Sequence, residues 1–223
     1  ITEDSGRVYP YSNMAGSVLD VLRFALEHPN ITLVAGCVVT NIRHKNGLFT
    51  VTAEKDVFTA QKVILAAGGA AGSKVGGVMD GYQLGKAMGH HRTALYPSLV
   101  QLKTAPTYPR ALKGVKAEAA ITIHRRSEVL AQGKGEVLFT EYGVSGPAIF
   151  ELSRAAATGG EGLEVELDFL PDWTEEETFA WVAARQMQRG SQEAGTLLCG
   201  TLHSRLGQML CKAAGYTAQP CDT

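Results

Sequence analysis

Residues 62–88, KVILAAGGAAGSKVGGVMDGYQLGKAM, constrain the fold more than any other stretch of the chain. An apolar run at Val63, Ile64, Leu65, Ala66 and Ala67 breaks into glycines at Gly68, Gly69, Gly72, Gly76 and Gly77. From Asp80 to about Met88 the period turns helical, with Leu84, Ala87 and Met88 on one face. A buried strand that runs through glycines into a helix start is where α/β sheets hold ligands. Glycine lets the backbone approach closely, and the helix amides suit an anion such as pyrophosphate. A Gly-Gly pair after a strand is equally an ordinary turn, so the stretch alone leaves both readings standing.

The residues before it supply context. Val18, Leu19, Leu22, Ala25 and Leu26 share the face of a helix expected over 15–28, with Ser12, Asn13 or Ser17 as cap and Pro29 as stop. Ile31, Leu33 and Ala35 alternate as a strand, and 38–43 reads as the next. Asn46-Gly47 is the strongest hairpin dipeptide, and 48–53 and 57–60 complete an antiparallel meander before the apolar run. This order is that of the second half of a two-dinucleotide-binding-type FAD domain. The first half would bring the opening strand, its G-x-G-x-x-G loop and the first helix, and no such fingerprint occurs in the sequence.

From about His90 the character changes. Extended chain at 96–102, strands at 119–125 and 127–130, a turn at Gly133-Lys134-Gly135 and a strand at 136–140 suggest a small antiparallel β domain. Gly143-Val144-Ser145-Gly146-Pro147 opens a helix, with Pro147 in its tolerated first turn, and 163–169 alternates as a further strand. Thr174 with Glu177 forms a capping-box pattern for a helix ending near Gly190. A second helix is expected from about Ser191 or Thr196 to Ala214, followed by a patternless tail at 216–223. The expected fold class is α/β plus β: a partial FAD-binding domain over 1–92, an inserted antiparallel β domain over 93–170 and a small helical domain over 171–215.

Composition narrows the function. At 45% hydrophobic and 19% charged, the chain has the make-up of a globular protein with a sizeable core. A net charge of -1 offers no field for nucleic acid or a membrane surface, and no run approaches the ~18 apolar residues of a spanning helix. Cys37, Cys199, Cys211 and Cys221 lack metal-site spacing and fit reduced thiols of a cytoplasmic protein. Ile1 is no natural start, so the chain is expected to be a piece of a longer protein.

Four stretches together resemble the BaiN-like family of FAD-dependent oxidoreductases. Gly6-Arg7-Val8-Tyr9-Pro10 with Ser12 is similar to the family's G-R-x-[FY]-P-x-S loop. Ala66-Ala67-Gly68-Gly69 is similar to its A-T-G-G strand end, with Ala67 where Thr is usual. Asp80-Gly81-Tyr82 with Gly89-His90 resembles its G-D-G-Y…G-H helix, although Val78-Met79 replaces the small residues usual there. Residues 140–147, TEYGVSGP, resemble its F-T-H-x-G-x-S-G-P segment. The resemblance implies that Arg7 and Ser12 lie near the flavin and that Val39 meets the adenine through its backbone. It also implies that Ala67, Gly68 and Gly69 border the FAD, with Asp80 and Gly81 starting a helix beside it. The family's phosphate loop and its C-terminal Gly-Asp segment match nothing here, which implies weak or absent FAD binding and no activity by this chain alone.

Each residue also has a plainer role. Arg7 would bind an anion bidentately or simply face water. Asp80 suits any helix start, and His90 and His91 any helix end. Ser145-Gly146 lacks the G-x-S-x-G elbow of a serine hydrolase, and 175–177, all Glu, is a solvated helix start rather than a catalytic carboxylate pair. No side chain stands out as acid, base or nucleophile, as expected where the flavin carries the redox chemistry. The expected activity is hydride transfer between FAD and a nicotinamide (NAD(P)H as donor) or an organic small-molecule substrate, with self-association as an expected assembly. The contrasting reading is a non-catalytic module that binds a substrate or partner without flavin.

Overall fold

The computed structural model describes residues 1–4 and 6–216. It divides into two compact units, Ile1–Thr93 and a second beginning at Ala94.

In the first unit, β1 (Val39–Lys45), β2 (Leu48–Ala53) and β3 (Val57–Ala60) form the expected meander, a sheet of order β1-β2-β3. Asn46 and Gly47 turn it with φ of 52° and 78°, the positive pair that a tight hairpin requires. Helix α2 (Asp80–Ala87) packs on β1, and the buried apolar side chains of this unit are Ile42, Ala53 and Leu84. That is a thin core.

The first unit departs from expectation at its first helix, at 31–36 and at 62–67. Helix α1 (Ala15–Leu26) forms, but Met14 stands at its cap position with no side-chain cap, and Ser12 instead shares a 2.6 Å hydrogen bond with Ser17. None of its residues is buried, and Phe24 is 67% exposed, so its apolar face covers nothing in the described structure. Residues 31–36 and 62–67 run without a ladder, and Ile64 is 91% exposed rather than buried. A strand of this kind exists only where neighbours take up its N–H and C=O groups, and no described segment does so.

The second unit is built on a five-stranded antiparallel sheet of order β4-β7-β6-β5-β8. Its strands are β4 (Leu102–Lys103), β5 (Lys116–Arg125), β6 (Glu128–Phe139), β7 (Gly143–Ser145) and β8 (Leu163–Asp168), with the short helix α3 (Thr107–Ala111) between β4 and β5. The glycines of 133–135 do not turn the chain. Strand β6 runs unbroken through them, pairing Gly133 with Ile121 and Gly135 with Ala119. They admit helix α4 (Pro147–Thr158): a Cβ at Gly133 would stand 3.3 Å from Leu152, and one at Gly135 3.2 Å from the Ala148 methyl. A glycine row that looks like punctuation in one dimension is a groove for a helix in three.

The core joins this face to the C-terminal helices. Ile121, Val137, Phe139 and Ile149 cluster with Leu206 of α6 (Ser204–Ala213), and Arg205 donates to the carbonyls of Ala111 (2.6 Å) and Lys113 (3.2 Å). Helix α5 (Glu175–Arg189) starts with the expected capping box: the Glu177 amide donates to the Thr174 hydroxyl at 3.1 Å, and the Thr174 amide to the Glu177 carboxylate at 2.8 Å. The second helix is shorter than its pattern suggested. A 3-10 turn at Ala194–Thr196 and two further turns precede α6, and Arg185 of α5 holds that linker by donating to the carbonyls of Leu197 and Cys199. Of the expected tail and cysteines, 217–223 and with them Cys221 lie outside the described residues. Cys37, Cys199 and Cys211 form no disulfide with one another among the described residues. No described helix is long and apolar enough to cross a membrane.

Candidate functional site

The glycine-rich stretch folds into an elbow. Gly68 turns the chain with φ of 70°, Gly72 and Gly76 follow at 66° and 98°, and a 3-10 turn at Ser73–Val75 lies between them. The loop is closed by backbone bonds from Val78 N to Gly69 O and from Gly77 N to Gly72 O, both 3.1 Å. At Gly77 a Cβ would sit 1.9 Å from the Ala71 carbonyl oxygen, so only glycine permits this closure.

Helix α2 starts directly against the elbow. Gly81 is buried, and a Cβ there would stand 3.2 Å from the Ala67 methyl and 3.6 Å from the Gly68 oxygen. The Tyr82 hydroxyl lies where a Gly69 side chain would be, 2.7 Å from that position, and the Arg92 guanidinium stands 5.6 Å over the Tyr82 ring. Above Gly68 there is open space, with nothing within 4 Å of a built Cβ. Asp80 occupies the first turn and is exposed.

The predicted site residues therefore fall into two sets. Ala67, Gly68, Gly69, Asp80 and Gly81 form one elbow. Arg7, Ser12 and Val39 sit on other elements: Arg7 in a loop closed by the Thr2–Val8 bridge, Ser12 beside α1, and Val39 half-buried at the irregular start of β1. Tyr82, quoted in the Asp80-Gly81-Tyr82 motif but not among the expected site residues, and Arg92, whose only signal was nearness to His90-His91, stand at this site as well. They line, with Lys86, His90 and His91, a 310 Å³ cleft beside α2.

The second unit holds the 140–147 segment. Gly143–Ser145 is the buried strand β7, and Gly146, with φ of 113°, hands it to Pro147 at the first turn of α4. Ser145 is buried in that strand. Beside it, a 3.0 Å hydrogen bond and the charge of Lys113 hold the Glu141 carboxyl below its ordinary range.

A family model described as "HI0933-like protein barrel and H2TH domain" matches residues 96–223, more than half of the chain. The chain belongs to the HI0933-like family. The barrel and helical parts of that HI0933-like description fit the antiparallel sheet and the α5–turn–α6 pair. A relative of this HI0933-like chain is the 3-dehydro-bile acid delta(4,6)-reductase of Clostridium scindens, 35% identical over 170 residues. The match covers 75% of this chain and 42% of the relative, so the chain spans less than half the length of that reductase.

Proposed function

We propose that this chain forms part of a flavin-dependent oxidoreductase whose FAD lies against the elbow at 66–81. The observation that carries the reading is the open backbone over Gly68, set where the start of α2 closes on Ala67. A flat ring system or ribityl chain can approach that surface more closely than any side chain would allow. The first-turn amides of α2 suit the anionic part of such a ligand, and the Asp80 carboxylate can accept hydrogen bonds from its hydroxyls. Bound flavin would supply the redox chemistry, accepting and returning a hydride. The elbow's part is to hold and orient it. Arg7, Ser12 and Val39 complete the flavin surroundings in this reading, within a two-dinucleotide-binding-type domain.

For the whole protein we propose hydride transfer from a nicotinamide donor, through flavin, to a conjugated small molecule. The relative is a reductase of a 3-dehydro-bile acid, and a rigid, apolar substrate carrying a carboxylate is proposed here by that likeness. Neither nucleic acid nor a membrane is a proposed partner; exposed apolar side chains on α1 support self-association. The flavin-free module remains the competing reading, favoured by the lack of a G-x-G-x-x-G sequence. Titrating FAD fluorescence with the purified chain decides between them. Saturable quenching that Gly68→Val removes supports the flavin site; an identical, unsaturable response from both proteins overturns it.

A further inference from the structure

The geometry points to the apolar cleft at the open seam of the second unit's sheet as the site that takes the ring body of a compact apolar carboxylate, with Lys103 meeting the carboxylate. The inference rests on the substrate class proposed above and adds the place where that substrate binds.

Sheet order leaves two free edges, β4 and β8. A cleft of about 680 Å³ opens between them, within the range of pockets that hold drug-sized ligands. Leu102 stands on one edge and Val165 on the other, Ile123 and Phe139 form the floor, and Ala156 and Ala157 of α4 close the far side. The two alanines leave that side of the cleft open, and a larger residue on that face of α4 would take up part of the space. Mouths of incompletely closed barrels are recurrent ligand sites because the inward side chains are already apolar.

The charged and the fully buried polar side chains at the cleft are Ser153, Glu164 and Lys103. Ser153 is fully buried, and its hydroxyl donates to the Phe150 carbonyl at 2.7 Å and accepts from the Val100 amide at 3.3 Å. It fastens the segment that leads into β4 and is satisfied. Glu164, on the β8 wall and 76% exposed, stands 3.9 Å from His124 Nε2, an ion pair only when the imidazole is protonated, and lies at the opposite sheet edge from Lys103. Lys103 is the one cation among the residues that line the cleft. Lys113, Lys116 and Lys134 of the same unit each hold a carboxylate at 3.0, 3.0 and 2.6 Å, whereas Lys103 joins no ion pair among the described residues. An apolar chamber with one uncommitted cation at its rim favours a ligand that is apolar along its body and anionic at one end.

The test is calorimetric titration of the full chain with cholate, a steroid carboxylate, below its micelle concentration, and with the corresponding neutral alcohol. The expected result is one-to-one cholate binding, about fivefold tighter than the alcohol. Lys103→Gln should abolish that difference, and Ala157→Trp should weaken both ligands more than tenfold. Circular dichroism of each variant checks the fold, and the comparison of the two probes on the unaltered chain needs no variant. Equal affinity for both probes, binding that survives Ala157→Trp, or no binding at all would overturn the proposal. Flavin binding, measured on the same samples, separates the two readings. A chain that binds FAD without cleft-dependent cholate binding leaves the flavin site standing and removes the cleft. A chain with cleft-dependent binding and no FAD does the reverse.

Discussion

Glu177 shows how a single residue can be read correctly from sequence and then followed into a measurable property. The Thr174 backbone amide, and after it the Thr174 hydroxyl, hold its carboxyl below the ordinary value of 4.5. A depressed carboxylate contributes stability that is present above 4.5 and lost as the pH falls through the folded value. Glu177→Gln should therefore lower the urea midpoint at pH 7, with the gap to the unaltered chain closing under acid conditions; a gap independent of pH would refute the role of the charge. This capping box was legible because it is local, needing only two side chains three positions apart. Gly133 and Gly135 were not. Their meaning lies in Leu152 and Ala148 above them, on a helix that begins a dozen residues later.

Elements repeat that contrast. The β1–β2–β3 meander followed from Asn46-Gly47 and the alternation on either side, since hairpins are made by neighbours in sequence. The apolar run 62–67 suits a buried strand by its side chains and its place before the glycines, yet burial needs flanking strands that no described segment provides. The elbow that follows it was legible all the same, because its glycines are demanded by local closure at Gly77 and by the contact of Gly81 with Ala67. What the sequence did not reveal was Arg92 over Tyr82, a pairing fixed by how the chain returns after α2. In the second unit, helix α4 is the element that unifies the core. Ile149 is fully buried within it, against the inner face of the sheet. Truncating Ile149→Ala should cost about 2–5 kcal/mol in a denaturant titration; a loss under about 1 kcal/mol would mean that α4 is not seated on the sheet as described.

On the scale of the whole molecule, the chain is unequal. The second unit carries a continuous core from Leu112 through Ile149 to Leu206, and the first relies on Ile42, Ala53 and Leu84. The first unit is nevertheless the one that holds the elbow proposed to meet flavin. A ligand that binds only the folded form stabilises it in proportion to its occupancy, and a thinly cored unit should register that effect clearly. Hydrogen–deuterium exchange with and without saturating FAD is thus the most direct measurement. The account predicts slower exchange across 66–84, at the elbow and the first turns of α2, with 116–139 in the β5–β6 hairpin unchanged. Exchange across 66–84 that is indifferent to FAD would contradict it.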